Sequence, residues 1–192
     1  MKQVSLKKLI TVMLGVACGS SSILAIVYHI TQAPIQATAD ANELKAISDV
    51  FGGEFDNNPF LEKTIITGLN QKDQFVLYPI RRQGNITGVA IKTYSNKGFG
   101  GKLELIVGFT IDGRISSYKV ISSHETPGLG SKISGMRFLE QFKGIYPGAS
   151  DFKVKQDGGN IDAVTAATIS SRAVIEAIKK AYEAYHKFNM GN

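Results

Sequence analysis

The chain has 192 residues, 43% of them hydrophobic, enough for one packed domain or two small ones. Its formal net charge is +6, but the lysines and arginines are scattered and no dense basic block is interleaved with aromatics, which argues against a nucleic-acid partner. The single cysteine, Cys18, lies in an apolar N-terminal stretch, so a disulfide framework, a cysteine-ligated zinc and an iron–sulfur cluster are excluded.

Lys2, Lys7 and Lys8 precede an uncharged run from Leu9 to Tyr28. With His29-Ile30, and at about 1.5 Å per residue, this run approaches the roughly 30 Å of a hydrocarbon core. The pattern predicts a transmembrane helix over 9–30. The lysines place residues 1–8 in the cytoplasm and everything beyond the helix on the far side of the membrane. Gly15, Gly19, Ser20, Ser21 and Ser22 suit packing against other membrane helices. Two other readings stay open. Ala37-Thr38-Ala39 resembles a signal-peptidase site, and Val16-Ala17-Cys18 a lipoprotein cleavage site. All three readings carry the bulk of the chain out of the cytoplasm.

Residues 31–40, alanine-rich and containing Pro34, read as a linker. Ala41 to Phe51 reads as a short amphipathic helix with Leu44, Ile47, Val50 and Phe51 on one face, ended by Gly52-Gly53. Asp56-Asn57-Asn58-Pro59 is a turn. Phe75 to Arg82 alternates as a strand, Gly84-Asn85 turns it, and Ile86 to Tyr94 runs back. Gly98-Phe99-Gly100-Gly101 is a loop that needs backbone freedom; Lys102 follows it at the wrong spacing for a phosphate-binding P-loop. Leu103 to Ile111 is a strand, Asp112-Gly113 a hairpin turn, and Arg114 to Ser122 the returning strand. Strands in the middle and helices toward both ends predict an α+β fold with a mostly antiparallel sheet. The division expected is an N-terminal α+β part over 41–95 and a second part over 96–192.

His124-Glu125-Thr126-Pro127-Gly128-Leu129-Gly130-Ser131-Lys132 follows the last strand and packs an imidazole, a carboxylate, a hydroxyl and an ammonium into nine residues. It is no zinc-protease helix, because Gly128 stands where a second histidine is needed, and no dinucleotide fingerprint, because the third glycine and the βαβ unit are missing. His29 and His186 lie too far away in sequence to complete a metal triad. Taken alone, the stretch reads equally well as a polar surface loop.

Asp162-Ala163-Val164-Thr165-Ala166-Ala167-Thr168 sets two threonines among small alanines, directly before Ile169-Ser170-Ser171-Arg172. Ser170 and Ser171 are good N-cap residues. From Val174 the apolar positions Ile175, Ile178, Ala181, Tyr182 and Tyr185 recur at helical spacing, so Thr168 is expected at or just before a helix start. Free backbone N–H groups and the helix dipole favour a phosphate there, and a hydroxyl at that point suits contacting or carrying one. The bland alternative is a strand, a threonine-alanine loop and a capped helix.

Together, the His-Glu-Thr-Pro-Gly-Leu-Gly run at 124–130 and the Asp-x-x-Thr-Ala-Ala-Thr run at 162–168 resemble the covalent FMN-binding domain. That domain occurs in the G subunit of the Rnf ion-translocating electron-transport complex and in the related C subunit of the sodium-pumping NADH:quinone reductase. The lysine-flanked anchor, the Gly98–Gly101 loop and the Asp112-Gly113 hairpin fit the same family. The resemblance implies an electron-transfer subunit of a bacterial inner-membrane translocase rather than a stand-alone enzyme. It implies FMN joined by a phosphoester to Thr168, installed by a flavin transferase, and partners that are the other subunits of a membrane complex. Asp162 matches the family's acid. Thr165 is the competing acceptor, which the family pattern disfavours. Ala166 departs from the pattern, which has glycine there.

On that resemblance, hydroxyls of Thr165, Ser170 and Ser171 would donate to the phosphate. The flavin ring would lie against the 124–132 loop, with Leu129 as an apolar face and His124 and Glu125 alongside. Thr126 and the N–H groups of Gly128 and Gly130 would meet ring heteroatoms, and Lys132 would favour a reduced, anionic flavin. The competing functions are the C subunit of the NADH:quinone reductase, a stand-alone anchored flavoprotein, and a non-redox anchored scaffold in which the threonine loop is only a cap.

Overall fold

The computed structural model describes residues 5–53, 55–68 and 73–190. The chain divides into two compact units at Ala41/Asn42. The first is most of α1 (Leu6–Phe51), a helix long and apolar enough to cross a membrane, with its apolar side chains exposed between Leu6 and Ile35. Residues 31–40, expected as a linker, are helical. Ala33, Ala37, Ala39 and Ala41 are strong helix formers, Gln36 Nε2 donates to Asp40 Oδ1 one turn on (2.9 Å), and Thr38 Oγ1 donates to the Pro34 carbonyl (2.8 Å). Local propensity there outweighs the single backbone hydrogen bond that Pro34 removes.

The second unit is built on one five-stranded antiparallel meander, β1 (Thr64–Thr67), β2 (Gln74–Arg82), β3 (Asn85–Gly98), β4 (Gly101–Thr110) and β5 (Ile115–Ser123), in sequential order. The fold is α+β, as the element order predicts. Strand β3 runs straight through residue 95, where a division was expected, so the sheet is continuous from β1 to β5. The two-residue turn between β2 and β3 is Gln83-Gly84, both with positive φ, the pattern of a type I′ hairpin, one position earlier than Gly84-Asn85.

Period-two alternation gives the sheet two apolar faces. On one, Leu77, Ile91, Leu105, Val107 and Phe109 pack under α3 (Thr168–Met190), which contributes Ala173, Val174, Ala177, Ile178 and Ala181. On the other, Tyr78, Ile80, Ala90 and Ile106 receive the last turns of α1 through Ala46, Ile47 and Val50. Leu44, expected on that face, is exposed; the buried stripe is Glu43, Ala46, Ile47 and Val50, spaced i, i+3, i+4, i+7. Glu43 is tolerated there because its carboxylate accepts a short hydrogen bond from Tyr78 and pairs with Lys92 Nζ at 2.9 Å. After β5 the chain passes through a 3-10 turn at Gly130–Ser134, the short α2 (Met136–Leu139), and an irregular segment, before it enters α3.

Candidate functional site

Three segments converge at the start of α3: the Phe99-Gly100 turn between β3 and β4, the loop after β5, and the 162–168 loop. Thr168 is the first residue of α3. Together with Phe99, Glu125, Thr126, Leu129, Gly130, Ala166, Ala167, Ile169 and Ser170 it lines a cavity of about 310 Å³. That volume is at the small end of the roughly 300–1,000 Å³ range of small-molecule sites. Three large apolar side chains stand uncovered around it, Phe99 (70% exposed), Leu129 (45%) and Ile169 (48%). Thr168 is half-buried, and its hydroxyl makes no side-chain hydrogen bond among the described residues.

The loop carrying Thr168 is held by its own backbone and by Ser171. The Ser171 hydroxyl accepts from the Val164 N–H at 3.0 Å and donates to the Ala167 carbonyl at 3.0 Å, and the Ala167 N–H donates to the Val164 carbonyl at 2.9 Å. The two serines therefore sit inside the first turn, and neither is the N-cap. Ser171 closes the loop onto the helix. Ser170, equally buried, donates to Glu125 Oε2 at 2.7 Å. These commitments leave neither serine's proton for a phosphate.

A second cavity, of about 580 Å³, lies on the other side of the 162–168 loop. Lys132, Arg137, Phe138, Gln141, Asp162 and Thr165 line it. Asp162 is engaged by Lys155 (2.8 Å), and its N–H donates to Gln141 Oε1 at 2.7 Å. The sequence's candidates thus separate. Glu125, Thr126, Leu129, Gly130, Thr168 and Ser170 meet in the first cavity, whereas Lys132, Asp162 and Thr165 meet in the second. His124 is exposed and lines neither, and the Gly128 N–H is already donated to Ser131 Oγ at 2.9 Å. The charged side chain in the cavity with Thr168 is Glu125, and Lys132, expected beside a flavin, faces its neighbour. A larger cleft of about 850 Å³, between Phe51 and Tyr118, holds none of the candidates.

The motifs do not mark Phe99, Ile169 or Ala166 as lining a site. An aromatic between glycines in a two-residue turn, with nothing to bury it locally, is the signal that marks Phe99.

Comparison with known proteins bears on the same residues. Positions 98–183 match the family model described as the FMN-binding domain. The G subunit of the ion-translocating oxidoreductase complex of Vibrio cholerae is 33% identical over 175 residues, covering 87% of this chain and 84% of that protein. This chain belongs to that G-subunit family. The Yersinia pestis relative of the same description is 33% identical over 174 residues, with 86% and 83% coverage. The crystal structure of Shewanella oneidensis NqrC shares the fold, with a TM-score of 0.51 and 22% identity over 62% of this chain and 60% of that one.

The residues around the cavity suit an FMN. Phe99, Leu129 and Ile169 offer apolar contact to a flat ring system, and a helix start with an unengaged hydroxyl suits a phosphate.

Proposed function

We propose that this chain, as a member of the G-subunit family, carries FMN on Thr168 through a phosphoester and is the flavoprotein component of a membrane complex that couples ferredoxin/NAD electron transfer to ion movement. The observation that carries the reading is the position of Thr168. Of the two threonines in the 162–168 loop, it is the one that opens α3 and shares its cavity with Phe99, Leu129 and Ile169. Thr165 faces Lys132 and Arg137 on the other side.

When bound, FMN supplies the oxidation–reduction chemistry. The chain's own residues hold it. Phe99, Leu129 and Ile169 give apolar contact and keep water from the ring. The first turn of α3 stabilises the charge that a phosphoester retains, by about 0.3–1 kcal/mol. A phosphoester weighs the sum of protein and FMN less one water, and a flavin transferase makes it. The remaining partners are the other subunits of the complex. In this reading the apolar part of α1 crosses the membrane once; its length and apolar composition support this, and the charge of Lys7 and Lys8 favours a cytoplasmic N-terminus with the sheet outside.

Co-expression with a flavin transferase tests the assignment. The wild type and Thr165→Ala are expected to give a fluorescent band after denaturing electrophoresis, and Thr168→Ala a dark one. A fluorescent Thr168→Ala band would falsify the acceptor assignment.

A further inference from the structure

Glu125 stands apart from the other residues around Thr168. It is a carboxylate only 9% exposed, on a surface otherwise apolar or hydroxylic, and no cation among the described residues pairs with it. Burying a charge is costly unless it is hydrogen-bonded. Its partners come from two other segments. Ser170 Oγ, in the first turn of α3, donates to Oε2 at 2.7 Å, and the Gly100 N–H, in the β3–β4 turn, points at Oε1 from 3.4 Å. Glycines wall it in. A Cβ at Gly130 would lie 2.3 Å from Oε2, and one at Gly98 would lie 2.7 Å from Oε1. A side chain at Gly130 would therefore have to push the carboxylate aside, and one at Gly98 would also meet the Gly101 carbonyl oxygen at 2.5 Å.

We infer that Glu125 is a positioning residue, which ties the β3–β4 turn and the 124–130 loop to the first turn of α3 and thereby fixes Thr168 in its cavity. It acts through Ser170, two residues beyond Thr168, by holding the start of α3. The inference rests on Thr168 being the flavin acceptor. A carboxylate at this depth shows up in three separable ways. Breaking its bond to Ser170 frees the start of α3 without touching the sheet. Removing either partner has the same effect, because each acts only through the other. A side chain at Gly130 displaces the carboxylate and reproduces the loss.

The test uses the full-length chain in detergent and in cells co-expressing the flavin transferase, as wild type, Glu125→Gln, Ser170→Ala, the double variant and Gly130→Ala. In the flavin-free chain, amides of residues 166–171 are expected to exchange hydrogen faster in each single variant, with those of β3 and β4 unchanged. Flavin incorporation, followed as in-gel fluorescence against time, is expected to slow roughly ten- to a hundredfold, the worth of one hydrogen bond to a charged group. The double variant should be no slower than the slower single. Wild-type incorporation in both Glu125→Gln and Ser170→Ala, or losses that multiply in the double variant, overturns the inference. If Glu125→Gln does not fold, Ser170→Ala alone decides, since it removes the same bond without altering the carboxylate. Incorporation that persists in Thr168→Ala sinks the acceptor assignment instead, and so separates the two failures.

Discussion

Ala166 has φ 60°, in the left-handed region that side chains with a Cβ avoid. This explains the one departure noted in the threonine motif. Glycine suits that position because the chain must turn left-handed to deliver Thr168 to the helix start, and the alanine methyl is tolerated at a cost of about 1–2 kcal/mol. The motif marks the departure at Ala166 but not its consequence. The consequence lies in the backbone, which no spacing rule reveals. Ala166→Gly relieves the strain and gives back about 0.5–1 kcal/mol through the freer unfolded chain. The net expectation is a gain between about zero and about 1.5 kcal/mol and a melting temperature unchanged or higher by a few degrees. A lower melting temperature would contradict the strain account.

β2 to β5 are legible because turn signals bound short, β-branched and aromatic apolar runs, near-continuous in β2 to β4 where both faces of the sheet are covered. β1 was missed, since four residues (Thr64–Thr67) with mostly exposed side chains carry no period. Within α3, the apolar spacing from Val174 onward correctly reports the face against the sheet. Truncating Ile178, fully buried there, should cost about 2–5 kcal/mol, measurable by denaturant unfolding; a loss under 1 kcal/mol would mean that α3 does not rest on the sheet through this residue. The start of α3 is held from outside by Arg172, whose guanidinium grips Asp157 with bonds of 2.8 and 2.7 Å. That partner holds the Asp157 carboxyl below its ordinary value of 3.8, as Arg81 and Asn57 hold Glu62 below 4.5. Because these values are depressed in the folded state, the stability they add is present above the ordinary values. It is lost as pH falls through the lower folded ones. Stability should therefore fall below about pH 4, and Arg172→Met should flatten that acid limb. An unchanged limb would show that Asp157 gains nothing from the pair.

At the scale of the whole chain, the long apolar N-terminal helix is legible from its uncharged length, and the site only in part. The 124–130 and 162–168 motifs mark the segments that converge. Which side chains share a cavity depends on how the 162–168 loop turns between them, and that turn sends Thr165 and Lys132 to one side and Thr168 to the other. The same turn leaves Glu125, and not a lysine, as the charge nearest the proposed flavin. Topology has its own check. A periplasm-dependent reporter such as alkaline phosphatase, fused after residue 192, should be active, and activity only of a cytoplasm-dependent reporter would reverse the orientation. The central claim concerns one oxygen atom, and mass spectrometry of the chain isolated from its own membranes addresses it most directly. The account predicts an intact mass raised by FMN less one water, with the increment confined to the tryptic peptide spanning 156–172 and fragment ions placing it on Thr168. An unmodified peptide from flavin-replete native membranes, or an increment on Thr165, would contradict it.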